Sequence, residues 1–302
     1  MGLQPRDFEV VGANYLPAET KRKVVKKSLI QFVREKPYIS VVILLIIILG
    51  CLFAEVVMTY DPTYMDLAHV NTSPNETFYF GTDAMGRDIF SMIWYGGRIS
   101  LLIGILATVI STGIAVLYGS ISGVASERID SLMMRMSEMI LSIPSILIII
   151  FMQAMIGESN PVSIAIVIGL TSWMNIAKVV RSEVRQIRNS EHILAARYMG
   201  GGFFYIMKRH MLPHFVPSIM FMVVTNIGAA IGTESTLSFL GIGLPLEIIS
   251  WGSMLSQADR ALLSNDWWII LIPGIFLVVT LVCITDIGNY IRKRNDKRSS
   301  YL

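Results

Sequence analysis

Charge is what this 302-residue chain has least of: Asp, Glu, Lys and Arg make up 16% of it, against 53% hydrophobic residues. A water-soluble domain carries about a quarter charged residues, so a soluble enzyme is excluded if the apolar residues are clustered. They are. Six windows contain no charged residue at all: Pro37–Ala54, Ile99–Ser126, Met139–Gly157, Ser159–Ala177, His210–Thr233 and Trp267–Thr285. Each is long enough to cross a bilayer once as a helix, which takes roughly 20 apolar residues. None alternates in the manner of a barrel strand, and lipid leaves helices as the other way to satisfy the backbone. Cysteine is nearly absent. Cys51 and Cys283 both fall inside apolar windows, where they are expected to pack as small apolar side chains and indicate no redox compartment. No cleavable leader is expected, because the first apolar run begins near Tyr38, behind a charged segment, and continues to full spanning length.

Catalytic motifs are missing as well. No G-x-x-x-x-G-K-[ST] occurs and no Gly precedes a Lys, so ATP hydrolysis within this chain is not expected. There is no H-E-x-x-H and no serine hydrolase motif. His210 and His214 stand four apart, a metal-ligand spacing on a helix. Pro213 lies between them with no Cys, Asp or Glu nearby, so no metal site is expected. Catalytic residues are likewise expected to be none.

Charge that is present is unevenly placed. Taking the segments between windows alternately, 22 of the 25 Lys and Arg fall on one side and three on the other. The tail before Pro37 carries eight and the segment Lys178–Arg209 carries seven. Basic connections stay in the cytoplasm, which predicts cytoplasmic termini and a cytoplasmic fourth connection. The formal charge of +3 then reflects anionic lipid headgroups and needs no nucleic acid.

That fourth connection holds the most ordered polar stretch, HILAARYMGGGFFYIMKRHMLPH, from His192 to His214. Ser190 or Asn189 is placed to cap a short helix, with Glu191 at its positive end. Gly200-Gly201-Gly202 is expected to end it. Helical character resumes at Phe203–Met211, and Pro213 is expected to mark entry to the fifth crossing. Phe203, Phe204 and Tyr205 beside Lys208 and Arg209 read as contact residues. From pattern alone, an amphipathic hairpin lying on headgroups is an equal reading.

Ala195-Ala196, three residues, Gly200, nine residues and His210-Met211-Leu212-Pro213 resemble the EAA loop of bacterial ABC import permeases. Leu194 stands in the usual Glu place and His210 in the Ile place. Three further stretches are similar to the C-type subunit of oligopeptide/dipeptide/nickel permeases: FGTDAMGRDIFSMIWYGGRISLLIG (80–104), ERIDSLMMRMSEMILSIPSILI (127–148) and ESTLSFLGIGLPLEIISWGSML (234–255). At the far end only Asp286, Gly288 and Arg292 remain of the family's last segment.

The resemblance implies an all-α integral membrane protein of six transmembrane helices, an ABC importer (type I) permease bundle with a cytoplasmic coupling helix. Expected parts are a cytoplasmic tail 1–36, a first helix 37–57, an external loop 58–98, a five-helix core 99–291 with the coupling helix at about 189–212, and a cytoplasmic tail 292–302. ATPase coupling is expected from Glu191, Ala195, Ala196, Gly200, Phe203, His210, Leu212 and Pro213. The external family motif supplies Gly81, Thr82, Asp83, Gly86, Arg87 and Asp88. Implied partners are a second, B-type permease, two cytoplasmic ATPases that bind ATP and Mg, an external solute-binding protein and membrane lipid. No cofactor is expected on this chain. The implied setting is a bacterial plasma membrane and the implied substrate a short peptide, with nickel, opine or sugar as alternatives. A secondary transporter without ATPase partners is the reading from another class.

Ionisable and polar groups near spans are expensive. Glu138, Glu234 and Asp286 lie toward span ends, which suits structural pairing or gating. Ser111, Thr112, Ser142, Thr225 and Asn226 are pathway candidates that sequence does not separate from packing. Gly119-x-x-x-Gly123 and Gly228-x-x-x-Gly232 are read as packing within one subunit.

Overall fold

The computed structural model describes residues 37–299. The expectations for the tail 1–36 and for residues 300–302 lie outside the described residues. By contacts the chain divides into 1–36 and 37–302. The second unit is mainly helical, its one β feature among the described residues being an isolated bridge between Thr82 and Asp88.

Among the described residues thirteen α-helices follow one another. α1 (Tyr38–Leu52) and the single turn α2 (Ala54–Val57) precede a loop to residue 88. α3 (Ile89–Val124) then runs for 36 residues. It begins ten residues before the charge-free window because Arg98 sits inside it without cost. The Arg98 guanidinium donates to the carbonyls of Cys51 and Leu52 and to Glu55, filling the acceptors left open where α1 ends.

The third and fourth windows are not straight helices. α4 (Glu127–Leu141) and α5 (Ser145–Ile156) meet at 84°. Pro144 lies between them, and the residue before a proline is pushed out of helical conformation. α6 (Pro161–Ser172) and α7 (Met174–Ile187) meet at 45°. Among the described residues, three helices are long and apolar enough to cross a membrane, or five if each bent pair counts as one crossing; α1 is a shorter apolar helix of 15 residues.

After α8 (Glu191–Tyr198), helix resumes at α9 (Phe203–Ile206) and continues without a stop through Met207–Met211 into α10 (Leu212–Phe239). Pro213 stands in the first turn of α10, as expected at the entry to the fifth crossing, although helical backbone leads into it without a gap. A wide π turn occupies Met207–Met211. It loosens the ladder where Pro213 has no N–H to give and where its ring crowds the preceding turn. α11 (Trp251–Leu255) and α12 (Ala258–Ser264) fold over the far end, and α13 (Trp267–Ser299) returns along the whole bundle. The helix thus runs on past residue 291.

Three buried clusters hold this together. One joins α1, α3, α11 and α13 around Trp251, Met92, Ile93 and Ile269. A second joins α3, α7, α8 and α10 around Val180, Val184, Ile193 and Phe215. A third joins α3, α5, α6 and α10 around Ile103, Ile149 and Ile168. Close approach of α3 to α7 depends on Gly119 and Gly123. A Cβ on Gly119 would lie 2.5 Å from the Ala177 carbonyl oxygen, and one on Gly123 2.6 Å from Val184. At Gly228 and Gly232 the same test gives ordinary contact distances of 3.4 and 3.8 Å. Only the first glycine pair enforces proximity.

Candidate functional sites at the two ends of the bundle

The end carrying the Arg- and Lys-rich connections is shaped by the hairpin α8–α9. Glu191 lies in the first turn of α8. Ser190 occupies the cap position, yet its hydroxyl donates to the Ile187 carbonyl (2.7 Å) and does not cap the helix. Termination follows the sequence closely. Gly200 has φ +86°, the Gly200 amide donates to Arg197 and the Gly201 amide to Ala196. Those two bonds are the closing pair of a Schellman turn, with glycine at the left-handed position.

The alanine pair splits. Ala196 is buried, with Ile193, Ile187, Ile206 and Met207, in the cluster shared with α7 and α10; Ala195 faces outward. Burying each Ile stabilises the hairpin by roughly 1.5–3 kcal/mol relative to exposure in water. The outer surface is apolar all the same. Tyr198 is 88% exposed, Met199 82% and Phe204 76%. Phe203, expected as a contact residue, is partly buried against the cluster, and Leu212 packs there too. The His210 ring meets Tyr205 edge-on at 6.0 Å and lies tilted to His192 at 6.3 Å, and Pro213 is exposed. Tyr198 and Met199, just before the glycines, are the most exposed of the hairpin's large apolar side chains. Among the described residues no group of three or more His, Cys, Asp or Glu is placed to hold a metal.

Beside the hairpin sits a cluster that sequence reading did not single out. The Asp130 carboxylate on α4 accepts from Arg181 Nε and Nη2 (both 2.5 Å), Arg185 Nη1 (2.8 Å) and Ser122 Oγ (2.5 Å). The Arg181 hydrogen bonds hold its carboxyl down at about 2 against the opposing effect of burial. Arg188 donates to the carbonyls of Gly123 and Ala125.

The opposite end is a closed cap built on the external motif. Gly81 and Gly86 have φ +75° and +73°, and a Cβ on Gly86 would overlap the Asp66 carbonyl. Asp83, 1% exposed, accepts from the Met85 and Arg87 amides. Its second oxygen accepts from Arg87 Nε (2.8 Å) and Gln257 Nε2 (3.1 Å). Arg87 Nη1 donates to the Leu246 carbonyl, and the Trp268 indole to the Thr82 carbonyl (both 3.1 Å). Asp88 caps α3 by accepting from the Ser91 amide. Thr82, Asp83 and Arg87 thus tie the loop before α3 to the segment after α10.

Deeper in this end, Glu234 is fully buried. It accepts from Ser250 Oγ (2.8 Å), Ser238 Oγ (2.9 Å) and, at 3.4 Å, Ser100 and Ser235. Trp251 adds its indole to the Ile93 carbonyl. The other two acidic groups noted near span ends are paired as well, Glu138 with Lys178 (3.5 Å) and Asp286 with Ser40 (2.6 Å). Of the pathway candidates, Asn226 donates to Ser111 (2.9 Å), joining α10 to α3, and Thr225 bonds its own helix.

The chain matches, over residues 115–298, the family model described as "Binding-protein-dependent transport system inner membrane component". The oligopeptide transport system permease protein OppC of Bacillus subtilis is 33% identical, over 96% of each chain. The dipeptide transport system permease protein DppC of the same organism is 33% identical over 85% of this chain and 80% of its own. A putative peptide permease of Brucella suis is 35% identical over 80% of each. In structure, a chain of the MetNI methionine ABC transporter in an inward-facing conformation superposes with a TM-score of 0.54, at 16% identity, over 67% of this chain and 95% of that one. On this ground the chain belongs to the binding-protein-dependent transport system inner membrane components.

Proposed function

We propose that this chain is a transmembrane permease subunit of an ATP-driven importer of oligopeptides or dipeptides. The observation that carries the reading is the hairpin α8–α9: apolar and outward on one face, rooted by Ile193, Ala196 and Ile206 in the cluster of α7 and α10 on the other. A partner that seats on Tyr198, Met199 and Phe204 moves a stiff body, because the buried side cannot slip without opening a packed core. Hydrolysis of ATP with Mg belongs to two partner ATPases, and a homologous permease and an external solute-binding protein complete the machine. The names of the relatives OppC and DppC support peptide as the solute; nickel, opine or sugar import by the same machinery is the alternative.

Orientation follows from charge. Along the sequence, 22 of 25 basic residues fall in the tails and connections that alternate to the hairpin's side of the membrane, so the hairpin faces the cytoplasm and the cap faces outward. α1 with α2 makes a sixth crossing: its 15 residues reach only about 22 Å, and the turn Ala54–Val57 extends it. Uptake into membrane vesicles tests the whole. Deleting Ala195–Gly202 abolishes uptake and ATPase association while membrane insertion persists; normal uptake after the deletion overturns the coupling role. Copurification in mild detergent distinguishes a secondary transporter, which brings no ATPase with it.

A further inference from the structure

α4 is held in an unusual way. Its buried residues are Asp130 and Ser137, both polar, while Ile129, Leu132, Met136 and Met139 are exposed. It therefore offers the bundle no apolar face. What secures it is polar: Asp130 gripped by Arg181 and Arg185 of α7 and by Ser122 of α3, the Tyr118 hydroxyl donating to the Met133 carbonyl (2.6 Å), and the Glu138–Lys178 pair at 3.5 Å. The last joins exposed side chains and contributes little. α7, by contrast, shares its buried face with the hairpin α8–α9 through Val184, Ile187, Ile193 and Ala196. Movement of the hairpin thus carries α7 directly. It reaches α4 chiefly by way of one carboxylate, the exposed Glu138–Lys178 pair adding little, and α4 leads through the 84° bend to α5, which also packs on α6.

The geometry points to Asp130, clamped by Arg181 and Arg185, as the positioning device that passes hairpin displacement on to the α4–α5 arm. This rests on the coupling role proposed above and names the residue by which that role extends beyond α7. The fork suits the task. Arg181 engages both carboxylate oxygens, Nε on one and Nη2 on the other, a bidentate arrangement that fixes direction as well as distance. Asp130 is 5% exposed and Arg181 26%, so water competes weakly for the carboxylate. The low position of its pKa, near 2, keeps the clamp charged at every physiological pH.

The test uses the assembled transporter, this chain with its permease and ATPase partners, in vesicles, reading solute uptake and ATP hydrolysis together. Asp130→Asn removes the charge at nearly constant shape. Uptake per ATP hydrolysed is expected to fall roughly tenfold, a coupling loss of ordinary size, with hydrolysis continuing. Where Asp130→Asn does not assemble, Arg181→Gln, at a more exposed position, must give the same split. A Cys pair replacing Asp130 and Arg181, in a chain also carrying Cys51→Ala and Cys283→Ala, supplies the mechanical readout. Uncoupled as made, it is expected to regain uptake once a short bis-methanethiosulfonate reagent bridges α4 to α7. Undiminished uptake per ATP in the charge variants overturns the proposal, as does a bridged pair that stays uncoupled. Failure of the underlying reading looks different: the unaltered chain then brings down no ATPase and shows no ATP-dependent uptake.

Discussion

Arg87 and Asp83 are 4% and 2% exposed at their side chains, and each also bonds a distant segment. Arg87→Ala leaves the Asp83 carboxylate buried beside Gln257 with no cation, and is expected to cost about 3–5 kcal/mol, seen as a lowered midpoint in thermal unfolding of the detergent-solubilised chain. Gly119→Ala is expected to cost roughly 1–3 kcal/mol by overpacking, since the added carbon meets the Ala177 carbonyl on rigid backbone; Gly232→Ala, whose added carbon meets Leu281 at an ordinary contact distance, serves as the control. Asp130 has a pH signature of its own. Its folded pKa lies below the unfolded value of about 3.9, so the clamp stabilises the fold above that value and the contribution disappears as pH falls toward 2. The gap in melting temperature between the unaltered chain and Asp130→Asn is therefore flat from pH 5 to 8 and closes below pH 4. Gly200 was legible in the sequence as a helix stop, because a positive φ leaves glycine as the economical choice. Asp130 was not. Its partners lie 51 and 55 positions away, and no local pattern connects them.

At the level of elements, apolar windows located the long helices, and the hairpin α8–α9 emerged from its own pattern with its stop at Gly200 and its restart at Phe203. Two kinds of error remained, each with a physical source. Charge was taken to end a span, which hid the first turns of α3; Arg98 is tolerated there because the carbonyls ending α1 accept from it. Windows were also taken as straight, whereas the sequence Ser142-Ile143-Pro144 turns one of them by 84°. The hairpin itself yields a prediction. Gly200→Val places a β-branched side chain at φ +86°, a strain of about 1–2 kcal/mol. It is expected to reorient Phe203 and Phe204 and weaken ATPase copurification, while Gly202→Ala, at ordinary φ with no neighbour within 4 Å, leaves copurification intact.

For the molecule as a whole, the asymmetry of Lys and Arg predicts which face labels from which side. A single Cys at Leu263, 90% exposed on α12, is expected to react with a membrane-impermeant maleimide added outside intact cells. One at Phe204 is expected to react only after the membrane is opened. The reverse pattern refutes the orientation. What sequence left unread at this scale is that the loop before α3 and the segment after α10 form one cap, since that requires contacts across the length of the chain. Arg87 waits for Leu246, Asp83 for Gln257 and Thr82 for Trp268, separations of 159, 174 and 186 residues. A ribosome adding roughly 5–20 residues per second needs on the order of 10–40 s to supply them. During biogenesis the loop before α3 is thus made early and closed late, and a nascent chain stalled before residue 246 presents it, unlatched, to any protease that reaches it.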